Sequence, residues 1–549
     1  MVYLRKNLLF FSLCVYQFFL CQSVVLTTKK GVIIGTTLKT RGGRKVNSYR
    51  GIPYALPPLN ELRFQDPVPA KPLKGVFYAT KDGSECVQRG NENLQQPLKV
   101  SGNENCLTLS IYVPAIKSHN KKLPVMFFIY GGGWVTGSNE RSLYGPEYLL
   151  DKDIVLVVVN YRLDVFGFFS SGDYLAPGNF GLTDQALALR WVSQYIDMFG
   201  GDASQITIFG ESVGGISVNS LMFSNLSKDL FQRVISISGT IDMPVAHLPV
   251  EMVADATKQL AKAEGFPPFV LMTWIPVYDY NISKSPFFPV NPRTTPNRPT
   301  YPWINGATSF DGTYFIGHIY AYPDFVARLE ANPRQYLPDL LYLEAYLPPE
   351  NIPEVTDRIV NFTLGTEDLS TRKRLPSSSL DYGGPVYFYL YDFPYPESWD
   401  NVYGPPGVVK PRPGHTDILL NLFEISQFFN RTDDTQTDER VSDNLIELFT
   451  SFATTGDPTS NSNFTRWNTI GTEENFNYLY LGETFVQRQN PYPERVSFWR
   501  SLQQQYPDFV IFLSVIDEEI KIASIFLHHV KTESCVFHCK YCIRKYRDC

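Results

Sequence analysis

The run Ile206-Thr-Ile-Phe209 passes directly into Gly210-Glu-Ser212-Val-Gly214, and a helical pattern begins near Ile216. A short β-branched and aromatic run predicts a buried strand. G-x-S-x-G set between strand and helix predicts a tight turn that holds its serine in a strained backbone conformation, with glycines where side chains would clash. An ordinary glycine turn carrying an exposed serine has the same letters, and the strand before with the helix after argues against it. Ser212 is the candidate nucleophile.

Working outward, similar short apolar runs recur at Val125 to Tyr130, Ile154 to Asn160, Val234 to Ile237 and Val386 to Tyr391. Each predicts a strand buried on both faces. Between them lie helical patterns such as Thr183 to Met198, where Leu187, Trp191, Val192 and Tyr195 share one face. Strand alternating with helix predicts an α/β fold with a mostly parallel central sheet and helices on both faces. Proline and glycine clusters at Ser285 to Pro302 and Gly404 to Gly414 are loops and candidate pocket walls. No internal repeat or low-complexity linker divides the body.

Composition narrows the function classes. With 44% hydrophobic residues in 549 and a net charge of −6 from interspersed acids and bases, the chain can bury a large core but offers no extended basic surface, so nucleic acid is not an expected partner. Residues 1–23 carry Arg5 and Lys6, then the apolar run Leu8 to Cys21, ending in small residues suited to cleavage after Ser23, the pattern of a signal peptide. Val510 to Val530 is interrupted by Asp517, Glu518, Glu519 and Lys521, so no membrane anchor is expected. The mature chain is expected to be extracellular. Sequons at Asn225, Asn281, Asn361, Asn430 and Asn463 are glycosylation candidates. In that compartment Cys86 and Cys106, alone in the body of the chain, are a natural disulfide.

A serine that attacks a carbonyl builds negative charge on oxygen and needs preorganised N–H donors. Gly131-Gly132-Gly133 directly follows the strand Val125 to Tyr130, so the Gly132 and Gly133 amides, with that of Val213, form a candidate oxyanion hole. The base must be a histidine. Of seven, His528, His529 and His538 lie in the C-terminal extension, His119 sits in a lysine-rich turn, and His247 and His318 lack a chemical context. His415, in Arg412-Pro-Gly-His415-Thr-Asp417 before the apolar run Ile418 to Phe429, is the best candidate, and that run is expected to be a helix. In this kind of site the acid follows the serine and precedes the histidine. Asp311, before Gly312, has the required loop character, though from chemistry alone other carboxylates between 212 and 415 compete.

From about Gly51 to Gln505 the chain resembles the type-B carboxylesterase and cholinesterase family of the α/β-hydrolase fold. The resemblance rests on Gly51-Ile-Pro-Tyr-Ala-Leu-Pro-Pro58 with Leu62-Arg-Phe64, Glu104-Asn-Cys-Leu107, Tyr130-Gly-Gly-Gly-Trp134, Asn160-Tyr-Arg162, Gly181-Leu-Thr-Asp-Gln185, Phe199-Gly-Gly-Asp202, the serine turn and Gly414-His-Thr-Asp417. It implies a triad of Ser212, Asp311 and His415, ion pairs matching Arg63 with Glu104 and Arg162 with Asp184, and the Cys86–Cys106 disulfide. It implies no cofactor and no metal. The expected organisation is a signal peptide over 1–23, an α/β-hydrolase domain over 24–508 and a Cys-rich extension over 509–549.

The chain departs from that pattern in four places. Asp311 stands where the family usually has glutamate, and Val213 where it usually has alanine, which narrows the hole. Residues 263–274 lack the family's second cysteine pair, and the tail with Cys535, Cys539, Cys542 and Cys549 has no counterpart. For a secreted chain, two disulfides in that tail, or a tail that is translated intron, are favoured over a zinc site with His538. The expected function is secreted serine carboxylesterase, acting on small apolar esters through an acyl-enzyme. The rival is a non-catalytic adhesion or ligand-sequestering relative, which an intact triad argues against.

Overall fold

The computed structural model describes residues 23–28, 31–89, 100–115, 121–243, 246–261, 274–311, 323–341, 343–363, 382–403, 413–429, 431, 434–460, 466–472 and 475–506. Residues 1–22 of the expected signal peptide, the stretch 263–273, most of the loop 404–414, Asn430, Asn463 and residues 509–549 lie outside them.

Among the described residues thirteen strands form one sheet: β1 (Ser23–Thr27), β2 (Gly31–Lys39), β3 (Lys45–Pro53), β4 (Gly75–Tyr78), β5 (Thr108–Pro114), β6 (Leu123–Ile129), β7 (Val155–Val159), β8 (Gly201–Glu211), β9 (Arg233–Ile237), β10 (Trp303–Thr308), β11 (Val386–Tyr391), β12 (Asn477–Leu481) and β13 (Phe485–Gln489). Their spatial order is β1-β2-β3-β5-β7-β6-β8-β9-β10-β11-β12-β13, with β4 paired to β2. From β7 to β12 every neighbouring pair in that order is parallel, whereas the β1-β2-β3-β5-β7 pairs and the β12–β13 hairpin are antiparallel and β4 joins β2 in parallel. The sheet is thus mostly parallel where the serine turn sits and antiparallel at its N-terminal edge.

Every residue of β6 and of β7 is buried. Successive strand residues point to opposite faces, so both faces of the sheet's centre are covered, as an unbroken apolar run in a parallel strand requires. Each fully buried Phe or Val there contributes roughly 1.5–3 kcal/mol relative to exposure. The covering helices include α1 (Phe180–Tyr195), α2 (Val213–Leu221) and α3 (Gln436–Thr455). Residues of α3 recur at helical spacing in the core (Val441, Leu445, Leu448, Phe449, Phe452), and its start carries a capping box in which Thr435 and Asp438 satisfy each other's amides.

Each predicted strand is present, with ends shifted by a few residues at most except that β8 starts earlier, at Gly201. Ile418 to Phe429 does not form the expected helix: only a 3-10 turn, Asp417–Asn421, is present. Ile425 sits at φ 50°, and Arg431 spends its guanidinium on the carbonyls of Leu420 and Phe423, which an α-helix would need for its own ladder. Apolarity here reflects burial rather than helical periodicity.

Candidate active site

Ser212 stands between the end of β8 and the start of α2 at φ 56°, ψ −127°. A non-glycine residue there is strained, and the surroundings hold it: the Ser212 amide donates to the Ile237 carbonyl at 2.8 Å and the Ser212 carbonyl accepts from the Ile216 amide at 3.0 Å. The turn is close enough to β6 that a Cβ on Gly214 would lie 2.1 Å from the Ile129 carbonyl oxygen. Only glycine fits there.

His415 and Asp311 are brought together by tertiary structure. Phe310 and Gly414, the residues preceding each, form an isolated parallel bridge between the loop after β10 and the loop carrying the histidine. His415 Nδ1 lies 2.7 Å from Asp311 Oδ1, and both residues are buried. The acid loop is tied to β11 by the Ser309 amide on the Tyr391 carbonyl at 2.8 Å. Asp417 fixes the histidine loop, its carboxylate accepting from the amides of Gly414 at 2.8 Å and Trp399 at 2.9 Å and from the Ser398 hydroxyl at 2.8 Å.

The other ring nitrogen, Nε2, faces Glu211, with Oε1 at 3.4 Å. Glu211 is next in the chain to the half-buried Ser212, so the imidazole stands beside the serine turn between two buried carboxylates. Burial, with a smaller push from Asp311, raises the Glu211 carboxyl to about 7, against the opposing pull of His415 and a hydrogen bond with Thr416. Sequence reasoning placed Glu211 beside the serine but gave no sign that it would face the histidine.

In the glycine run that follows β6, Gly132 has φ 103° and Gly133 φ 65°. Among the described residues neither amide donates to another backbone group, and the Val213 amide, in the first turn of α2, has no intrahelical acceptor. Gln88, two residues beyond Cys86, braces the far end of this loop: its Oε1 accepts from Thr136 Oγ1 at 2.7 Å and the Gly137 amide at 2.8 Å. Nothing in the sequence singled Gln88 out, because a polar residue near a cysteine has no distinctive spacing.

The structure pairs Cys86 with Cys106 in a disulfide. Arg63 meets Glu104 through two contacts of 2.6 Å, and Arg162 meets Asp184 through two of 2.7 Å while donating to the Gln65 carbonyl at 2.8 Å. The Trp134 side chain, after the glycine run, is fully buried, donates to Ser217 Oγ at 3.3 Å and packs on Phe168. Of the sequons, Asn225 and Asn281 are exposed and Asn361 is partly so. Among the described residues no group of three His, Cys, Asp or Glu side chains is placed to hold a metal, and no helix is long and apolar enough to cross a membrane.

The profile of the carboxylesterase family matches residues 22–270 and 247–499. This chain belongs to the carboxylesterase family. It is 30% identical to a juvenile hormone esterase of Tribolium castaneum over 563 aligned positions, covering 88% of this chain and 94% of that protein. It is also 30% identical to venom carboxylesterase-6 of Apis mellifera, over 87% of this chain and 94% of the relative. The crystal structure of a juvenile hormone esterase from Manduca sexta with OTFP covalently attached superposes with a TM-score of 0.73 at 24% identity, spanning 88% of this chain and all of that one. That likeness establishes the α/β-hydrolase fold. Membership makes the protein a carboxylic ester hydrolase whose substrates are small-molecule esters.

Proposed function

We propose that this enzyme is a secreted serine carboxylesterase that cleaves small, neutral, apolar esters through an acyl-enzyme, with Ser212 as nucleophile, His415 as general base and Asp311 as the acid that orients it. The observation that carries the reading is the buried 2.7 Å contact of His415 Nδ1 with Asp311 Oδ1, on a loop beside the strained turn of Ser212. Asp311 holds the ring with Nδ1 protonated, leaving Nε2 to take the serine proton as Oγ attacks the ester carbonyl. The Gly132, Gly133 and Val213 amides receive the developing oxyanion, which rigid dipoles in a dry site stabilise without reorganisation. His415 then returns the proton to the departing alcohol, and water repeats the sequence to release the acid.

Residues 24–508 act in this reading as one α/β-hydrolase domain, preceded by a cleaved signal peptide over 1–23 and followed by the Cys-rich extension. Glycans are proposed at the sequons, of which Asn225 and Asn281 are accessible. Secretion is supported by the N-terminal pattern, by the Cys86–Cys106 disulfide and by a relative that bears the name of a venom carboxylesterase. The substrate class is supported by the loop from Cys86 to Cys106, which contains no Trp, Tyr or Phe on which a quaternary ammonium group would rest. Labelling the secreted protein with a fluorophosphonate, followed by peptide mapping, tests the mechanism. The label is expected on the peptide carrying Ser212, and modification of any other residue in its place overturns the assignment.

A further inference from the structure

We infer that Thr308 is a positioning residue for the hydrolytic reaction: its hydroxyl fixes the Asp311 carboxylate so that one oxygen, Oδ1, is aimed at His415. The inference rests on the triad reading proposed above.

An orienting carboxylate must itself be oriented, because a carboxyl group rotates easily about its last torsion. Aspartate has a short reach, so its angle on the imidazole depends on what else holds it. Here Thr308, the last residue of β10, places Oγ1 3.1 Å from Asp311 Oδ1, the oxygen that meets His415 Nδ1 at 2.7 Å. Both residues are buried, Thr308 at 2% and Asp311 at 4% exposure. Oδ2 has no hydrogen-bond partner among the described residues. Beyond the histidine, then, the threonine hydroxyl is the one described group that fixes this carboxylate. Thr308 is itself held rigidly, paired in the sheet opposite Tyr391.

The test compares Thr308→Val, which keeps the shape and removes the hydroxyl, with Thr308→Ser, which keeps the hydroxyl. Hydrolysis of a nitrophenyl ester by the full secreted chain is followed in each, alone and with Asp311→Asn. Loss of a buried hydrogen bond to a charged group is expected to lower kcat about tenfold or more in Thr308→Val. KM should hold, and Thr308→Ser should restore most of the rate. Because Thr308 acts through Asp311, adding Thr308→Val to Asp311→Asn should cost almost nothing further. If Thr308→Val does not fold, Thr308→Ala carries the same expectations.

An inactive Asp311→Asn with a fully active Thr308→Val overturns this inference and leaves the triad standing. A fully active Asp311→Asn overturns the triad reading and this inference together. Equal losses from Thr308→Val with and without the Asp311 carboxylate also overturn it, since they would reflect general packing.

Discussion

Replacing Glu211 by glutamine tests the electrostatics of the buried site. Glu211 is 2% exposed and its carboxyl is raised from 4.5 to about 7, chiefly by burial. Below the unfolded value near 4.5 both states are protonated and the group does not affect stability. As pH rises the unfolded chain ionises first, so the fold loses stability up to about pH 7 and carries a constant penalty above it. A difference of about 2.5 pK units corresponds to roughly 3 kcal/mol. Glutamine never ionises, so Glu211→Gln should remove that penalty at pH 8 and have none to remove at pH 4. With an unfolding entropy of about 2.1 cal/mol/K per residue, 549 residues turn 3 kcal/mol into a Tm difference of about 3 °C. The expected result is a Tm gain of that size at pH 8 that shrinks toward acid pH, measured by scanning calorimetry on both proteins. A glutamine variant whose Tm change is the same at both pH values, or negative at pH 8, would refute the account of Glu211 as a carboxyl held up by burial.

Ser212→Ala and His415→Ala should each lower ester turnover by on the order of a thousandfold or more with the fold intact, as judged by circular dichroism; wild-type turnover in either ends the assignment. Gly214→Ala, whose Cβ would meet the Ile129 carbonyl at 2.1 Å, should break the contact between the serine turn and β6 and lower both Tm and activity. An unchanged melting curve would show that the turn is looser than described. Naphthyl and nitrophenyl esters should be cleaved with much higher kcat/KM than acetylthiocholine, and the opposite ranking on one preparation would mean that an ammonium site lies elsewhere.

The sequence by itself determined the elements that depend on local pattern. Val125 to Tyr130 and Ile154 to Asn160 were legible as buried strands because burial on both faces leaves an unbroken apolar run. The serine turn was legible because a strained strand-to-helix corner demands glycines at fixed offsets. Asp311 and Glu211 were different. Chemistry along the chain left several carboxylates competing for the histidine, and resemblance had to choose among them. Only the tertiary structure, through the Phe310–Gly414 bridge, brings Asp311 Oδ1 to His415 and turns Glu211 to its other side. The helix expected over Ile418 to Phe429 failed for a different reason: Arg431, just past the run, takes up its carbonyls, and apolar content cannot distinguish a buried loop from a buried helix. Hydrophobic periodicity records which face a segment buries, whereas an active site is made where loops separated by a hundred or so residues meet, and that meeting is set by the packing of the whole sheet.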